Sequence, residues 1–283
     1  MTARTAALSS AALCAFAANS LLCRAALGAH SIDGLGFTAV RLGAGALVLG
    51  LLAHGFAAPI SEGASWRAAL ALFGYAIAFS LAYVRIPVGA GALAAFGAVQ
   101  VTMVGAALLG GYRPPLREWA GLLLALGGLV GLTLPGLGRP DALGLALMIA
   151  AGACWGVYSL LGRKAGPALP ANAASFARTV PLALAALALG GAVHAPHFTR
   201  GGVLLAVVSG AVTSGLGYAV WFAALRGLSA TQAALLQLVV PPLAAVGGLV
   251  LLHEAPSARL VACGLLIVGG IGLGLARSQP KKT

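Results

Sequence analysis

Polar side chains set inside long apolar runs are the residues with which this chain could do chemistry. Such a group is costly in a bilayer unless it meets a partner or a wetted cavity. Asn19 shares a helical face with Phe16 and Cys23. Its amide both donates and accepts, which suits an amino or carboxyl group. Tyr75, Phe79 and Tyr83 follow at four-residue steps, and Phe96, Gln100 and Met103 align in the next run. Tyr75 and Phe79 are cavity candidates, whereas Tyr83 is expected in the interfacial aromatic belt, with Trp66 and Trp119 as anchors. Trp155 and Tyr158, with Ser159, occupy neighbouring faces further on; Ser214, Tyr218 and Trp221 line one side of a later run. Gln237 precedes Pro241-Pro242, which should bend the helix and free a backbone carbonyl beside it. Aromatic walls with a few polar tips bind small molecules. The expected binding set is Asn19, Tyr75, Phe79, Phe96, Gln100, Trp155, Tyr158, Tyr218 and Gln237.

Arg41 and Arg178 are the in-span cations. Snorkelling or bonds to backbone carbonyls would explain them, and so would gate control or attraction of a carboxylate. With Pro241 and Pro242 they form the expected structural or gating set. The acids Asp33, Glu62, Glu118, Asp141 and Glu254 sit at loops or helix ends, and the five histidines lie near span ends. No catalytic set of recognised spacing is present, so no enzyme activity, cofactor or metal is expected. Cys14, Cys23, Cys154 and Cys263 carry no paired spacing and read as small buried thiols.

The elements that position these residues are membrane spans. The 283 residues are 60% hydrophobic and 8% charged, with a mean hydropathy of +1.01. Soluble chains are roughly 25% charged. Ten apolar segments of near-spanning length occupy about 5–23, 34–54, 67–84, 88–110, 116–134, 141–162, 171–193, 201–225, 229–251 and 257–276. The first is read as a retained helix rather than a cleaved leader, because nine spans follow. Breakers separate the runs, among them Ala57-Ala58-Pro59, Arg85-Ile86-Pro87, Leu134-Pro135-Gly136, His194-Ala195-Pro196 and Ala255-Pro256. Lys and Arg favour one side about two to one, which places both termini in the cytoplasm. A formal net charge of +12 scattered among apolar segments does not build a nucleic-acid face.

The chain also repeats itself. Laying Arg85 on Arg226 superposes two apolar segments and brings Gly127-Gly128 within one residue of Gly269-Gly270. Phe37 to Arg41 lines up with Ala174 to Arg178. Five spans per half would invert the second copy, so the expected domains are repeats 1–138 and 139–283, an arrangement suited to rocking about a site between them. The glycine runs in the fifth and tenth spans predict close packing within one chain, or else a dimer seam. A monomer or weak homodimer is expected.

With these features set out, the sequence resembles the EamA-type members of the drug/metabolite transporter superfamily. The resemblance rests on the in-span arginine of Phe37 to Arg41, its counterpart Arg178, the stretch Cys154-Trp155-Gly156-Val157-Tyr158, and the segment Ala233 to Glu254 with Pro241, Gly247-Gly248 and His253-Glu254. Gln100 and Arg113 stand where the family's first half has proline and glutamate. The resemblance implies an all-α membrane protein of ten transmembrane helices. Two inverted five-helix repeats would surround a central cavity, with the fifth and tenth helices outside it. It also implies export of small metabolites, amino acids foremost, from a bacterial inner membrane by alternating access. Nucleotide sugars, sugar phosphates and drug-like compounds are the alternative cargo, and an intramembrane enzyme or a passive channel are the rival classes.

Overall fold

Apolar runs that cannot hydrogen-bond to lipid must satisfy their backbone internally, and helices do so within one segment. The structure, a computed structural model, describes residues 1–55, 65–86, 88–134, 141–193, 195–252 and 257–276. Ten of its helices are long and apolar enough to cross a membrane. They are α1 Ala3–Gly28, α2 Gly34–Gly55, α3 Trp66–Tyr83, α4 Val88–Leu109, α5 Leu116–Thr133, α6 Ala142–Lys164, α7 Ala168–Gly191, α8 Arg200–Leu225, α9 and α10 Ala258–Leu275. Helix α9 runs as Ala230–Gln237 and resumes as Val240–Leu252. Glu62, Arg139, His253, Glu254 and the basic residues after Ala276 lie outside the described residues, as do Ala57-Ala58-Pro59, Pro87, Pro135-Gly136, His194 and Ala255-Pro256.

Side-chain caps mark several helix starts. Thr2, Asp141, Thr199 and Ser257 each accept a hydrogen bond from a backbone N–H three residues on, and Ser229 with Gln232 forms a reciprocal capping box before α9. Three helices depart from regular hydrogen bonding, α7 because it carries Pro181 in its interior. Helix α8 widens into a π-helical stretch over Ser209–Leu216, and α9 breaks at Leu238-Val239. Pro241 and Pro242 have no N–H to offer the carbonyls of Gln237 and Leu238, so an α-helix cannot run through; both prolines instead open the second segment, where that loss is harmless.

Packing follows a regular scheme. Helix α5 lies against α10, α2 against α7, and α4 against α9; α3 and α4 pack on α6, while α8 and α9 pack on α1. Exchanging each helix for the one five places along leaves this scheme unchanged. The α5–α10 seam is the most extensive. A Cβ on Gly270 would stand 2.6 Å from the Gly121 carbonyl oxygen and 2.7 Å from the Ala125 nitrogen, so Gly270 closes this intrachain crossing with Gly121 and Gly128, whereas Gly127, Gly269 and Gly272 of the same runs meet nothing within 4 Å. Gly210 likewise faces the Arg41 carbonyl where α8 crosses α2.

Candidate functional site

A cavity of about 340 Å³ lies among α1, α3, α4, α6, α8 and α9. The irregular backbone shapes its walls. Val240 and Pro241 line it just beyond the break in α9, and Gln237 lines it just before. Arg24, Tyr83, Thr133, Ser257 and Arg259 line its mouth, all near those ends of α1, α3, α5 and α10 that share one side of the bundle. The opposite end is sealed by bonds. Gln100 Nε2 donates to the Ala234 carbonyl at 2.7 Å, tying α4 to α9. Gln237 Nε2 donates to Met103 Sδ at 3.4 Å, and Trp155 Nε1 donates to Gln237 Oε1. Glu118 accepts from Thr231 Oγ1 at 2.9 Å, tying α5 to α9. Arg163 Nε reaches the Leu228 carbonyl at 3.2 Å.

The walls are aromatic. Trp155 packs at 4.6 Å from Tyr218 and 5.0 Å from Tyr75, ring centre to ring centre, and Phe16 stands edge-on to Trp155 at 5.2 Å. Phe79 adjoins Tyr75 at 5.3 Å. Such offset and edge-on pairs hold rings in fixed orientations. The polar contribution comes from behind them. Asn19 Oδ1 accepts from Ser209 Oγ at 2.7 Å and Thr213 Oγ1 at 3.2 Å, so the π-helical stretch of α8 turns its hydroxyls onto α1. Arg41 Nε donates to Ser214 Oγ at 2.8 Å, and Nη2 donates to the Tyr75 and Tyr218 hydroxyls. Beyond the spans, Tyr112 donates to Glu118 Oε1 at 2.9 Å; partial burial and this bond raise its phenol above the ordinary range.

Seven of the nine expected binding residues line the cavity: Asn19, Tyr75, Phe79, Phe96, Trp155, Tyr218 and Gln237. Gln100 does not, because its amide nitrogen is turned into the α4–α9 tie. Tyr158 does not either; it is fully buried behind Trp155 and Tyr218 and donates to Asn172 Oδ1 at 2.8 Å. Pro241 lines the cavity and Pro242 is buried outside it. Arg41 and Arg178, expected as a matched pair, have different surroundings. Arg41 is 1% exposed among hydroxyls, whereas Arg178 is half-buried and stacks over Trp66 at 5.4 Å. Tyr83, expected in the interfacial belt, lines the mouth instead, held 4.6 Å from the Phe79 ring. The cysteines are not uniformly buried: Cys14 is exposed and Cys154 half-buried. Helices α5 and α10 reach the mouth through Leu132, Thr133, Ser257, Arg259 and Leu260. Ser209, Thr213, Arg24 and Arg259 were not anticipated. The hydroxyls recur at Ser209, Thr213 and Ser214, a spacing that puts all three near one face and could have flagged them.

A ten-span bundle with an aromatic cavity open at one end is a multi-pass membrane protein built to hold a small molecule within its spans. The chain belongs to the EamA-like transporter family, whose pattern matches residues 142–275. It is 49% identical over 274 residues to an uncharacterized protein of Pseudomonas aeruginosa, covering 96% of this chain and 95% of that one. It is 32% identical over 221 residues to the threonine/homoserine exporter RhtA of Salmonella typhimurium, covering 75% of this chain and 71% of the relative. The RhtA of Escherichia coli K12 aligns at 32% over 147 residues, half of this chain and 48% of the relative. A crystal structure 24% identical in sequence shares the fold with a TM-score of 0.74, covering 94% of this chain and 96% of that one.

Proposed function

We propose that this transporter exports small metabolites, amino acids foremost, across a bacterial inner membrane by alternating access. The observation that carries this reading is the cavity between the two halves, open at one end and bonded shut at the other. Its volume of about 340 Å³ suits an amino acid, at the small end of ligand pockets of roughly 300–1,000 Å³. The threonine/homoserine exporters, 32% identical, support the cargo class. The exchange-invariant packing scheme supports repeats at 1–138 and 139–283 related by inversion, the construction that lets one half rock on the other. The excess of Lys and Arg in alternate loops supports cytoplasmic termini, and hence an open end facing outward. The cavity is complete within one chain, which favours a monomer or a weak homodimer as the working unit. Export then requires the outer mouth to close and the bonds at Gln100, Gln237 and Glu118 to part.

Proteoliposomes loaded with labelled amino acids test this. Efflux should be faster than from protein-free vesicles and should saturate with internal concentration. Efflux no faster than from protein-free vesicles for any of the twenty amino acids would remove the cargo assignment, and flux that never saturates would remove alternating access.

A further inference from the structure

Arg41 is a fully buried guanidinium that holds no acid. It is 1% exposed, and among the described residues the one ion pair is between Arg85 and Asp141. Its bonds go to neutral hydroxyls alone, and Nη1 has no partner among the described residues. Burying a charge without a counter-ion is costly, which makes an in-span cation a candidate for function. The hydroxyls lead from it to the cavity. Nη2 donates to the oxygens of both Tyr75 and Tyr218, and the Tyr218 hydroxyl donates to the Tyr75 oxygen at 3.3 Å. Tyr75 therefore accepts twice, and its own O–H makes no bond to a described protein group. Tyr75 and Tyr218 line the cavity. A hydroxyl that accepts from a guanidinium is a stronger donor, because each bond in the chain polarises the next. The charge of the lining points the same way: it includes Arg24 and Arg259 at the mouth and, among the described residues, no carboxylate.

We infer that Arg41, acting through Tyr218 and Tyr75, forms the anion subsite of the cavity and selects cargo that carries a carboxylate. This rests on the export reading and specifies the chemical group recognised. The two mouth arginines raise the local concentration of anions, and the Tyr75 hydroxyl donates to the carboxylate at the cavity wall. The ammonium of a zwitterion is then left to the faces of Trp155, Phe16 and Phe79, which attract cations through their ring quadrupoles. Arg41 is here a positioning residue, and Tyr75 is the group that touches the cargo.

The test compares L-threonine with L-threoninol, which keeps the ammonium and side chain but replaces the carboxylate with an alcohol. Binding to the purified full-length protein is read by ligand-induced thermal stabilisation, and counterflow is read in proteoliposomes. Threonine should bind about tenfold or more tighter than threoninol, the scale of one charge-assisted hydrogen bond. Tyr75→Phe keeps the ring and should bring the threonine-to-threoninol ratio close to one. Arg41→Lys keeps a charge and should retain part of the ratio. The ratio is the informative readout, since general damage to the fold weakens both ligands alike. Equal binding of the two by the wild type, or a ratio untouched by Tyr75→Phe, overturns this inference and leaves export standing. If no amino acid binds or moves, the export reading fails and the inference fails with it.

Discussion

Gly269→Ala and Gly270→Ala are neighbouring substitutions in one helix, and they should behave oppositely. Both replace glycine with a better helix former, a gain of about 1 kcal/mol in a helix interior. A Cβ at 269 meets nothing within 4 Å. A Cβ at 270 would lie 2.6 Å from the Gly121 carbonyl oxygen, 2.7 Å from the Ala125 nitrogen and 3.1 Å from the Ala125 Cβ. Ordinary contacts of this kind begin near 3.4 Å. Both close neighbours are backbone, so the α5–α10 seam itself must open by most of an ångström. Overpacking of this kind costs about 1–3 kcal/mol. The two variants should therefore differ by about 1–3 kcal/mol, with Gly269→Ala at or above wild type. Cys263 supplies the assay. It is buried 3.0 Å from the Cβ position of Gly131 in the same seam. With Cys14, Cys23 and Cys154 replaced by alanine so that Cys263 is the sole thiol, a thiol-reactive dye read during heating reports when the seam opens. Dye uptake at a lower temperature for Gly270→Ala than for Gly269→Ala is the expected result. Indistinguishable curves would refute the close crossing of α5 and α10.

Other substitutions test other parts of the account. Gln100→Leu should change thermal stability little, because it removes one bond to Ala234 together with an unpartnered buried oxygen. Gln237→Leu should lower stability by about 1–3 kcal/mol, since it strands the Trp155 indole N–H; denaturation of the two purified variants compares them. Asn19→Leu should destabilise by a similar amount, because Ser209 then loses the acceptor it uses at 2.7 Å. The Tyr112 phenol, raised by burial and its bond to Glu118, keeps its proton in the folded state at pH values where the unfolded chain has begun to lose it. That contribution is complete below the ordinary phenol value of about 10 and declines as pH rises further. Tyr112→Phe should flatten the alkaline limb of a stability–pH profile.

Much of this architecture is written in local sequence. Apolar runs separated by breakers mark ten spans, because lipid leaves the backbone little alternative to helix. Pro241-Pro242 announces the break in α9, since two missing N–H groups cannot be hidden. Gly121, Gly128 and Gly270 meet across one seam because only a missing side chain permits that approach. Side-chain partnership is less legible. Gln100 and Gln237 look alike in sequence and each donates to a backbone carbonyl, yet Gln100 does so across to α9 while Gln237 bonds Ala233 of its own helix and lines the cavity. Arg41 and Arg178 align in the repeat but differ in their neighbours, because α8 brings Ser214 and Tyr218 to one and Trp66 stacks on the other. The spacing of Ser209, Thr213 and Ser214 is visible in sequence, but their meeting Asn19 on α1 is a tertiary event that the spacing does not specify.

The central claim is a cavity accessible from one side of the membrane at a time. Single cysteines at Ala92 and Ala244, which line the cavity, and at Leu235, toward the sealed end, can be placed in a background lacking the native thiols. A membrane-impermeant thiol reagent is then applied separately to each face of oriented vesicles. The account predicts labelling at 92 and 244 from the face bearing Arg24 and Arg259, slowed by added amino acid, and slow labelling at 235 from either face. Labelling of 92 and 244 at equal rates from both faces, or from the opposite face alone, would contradict it.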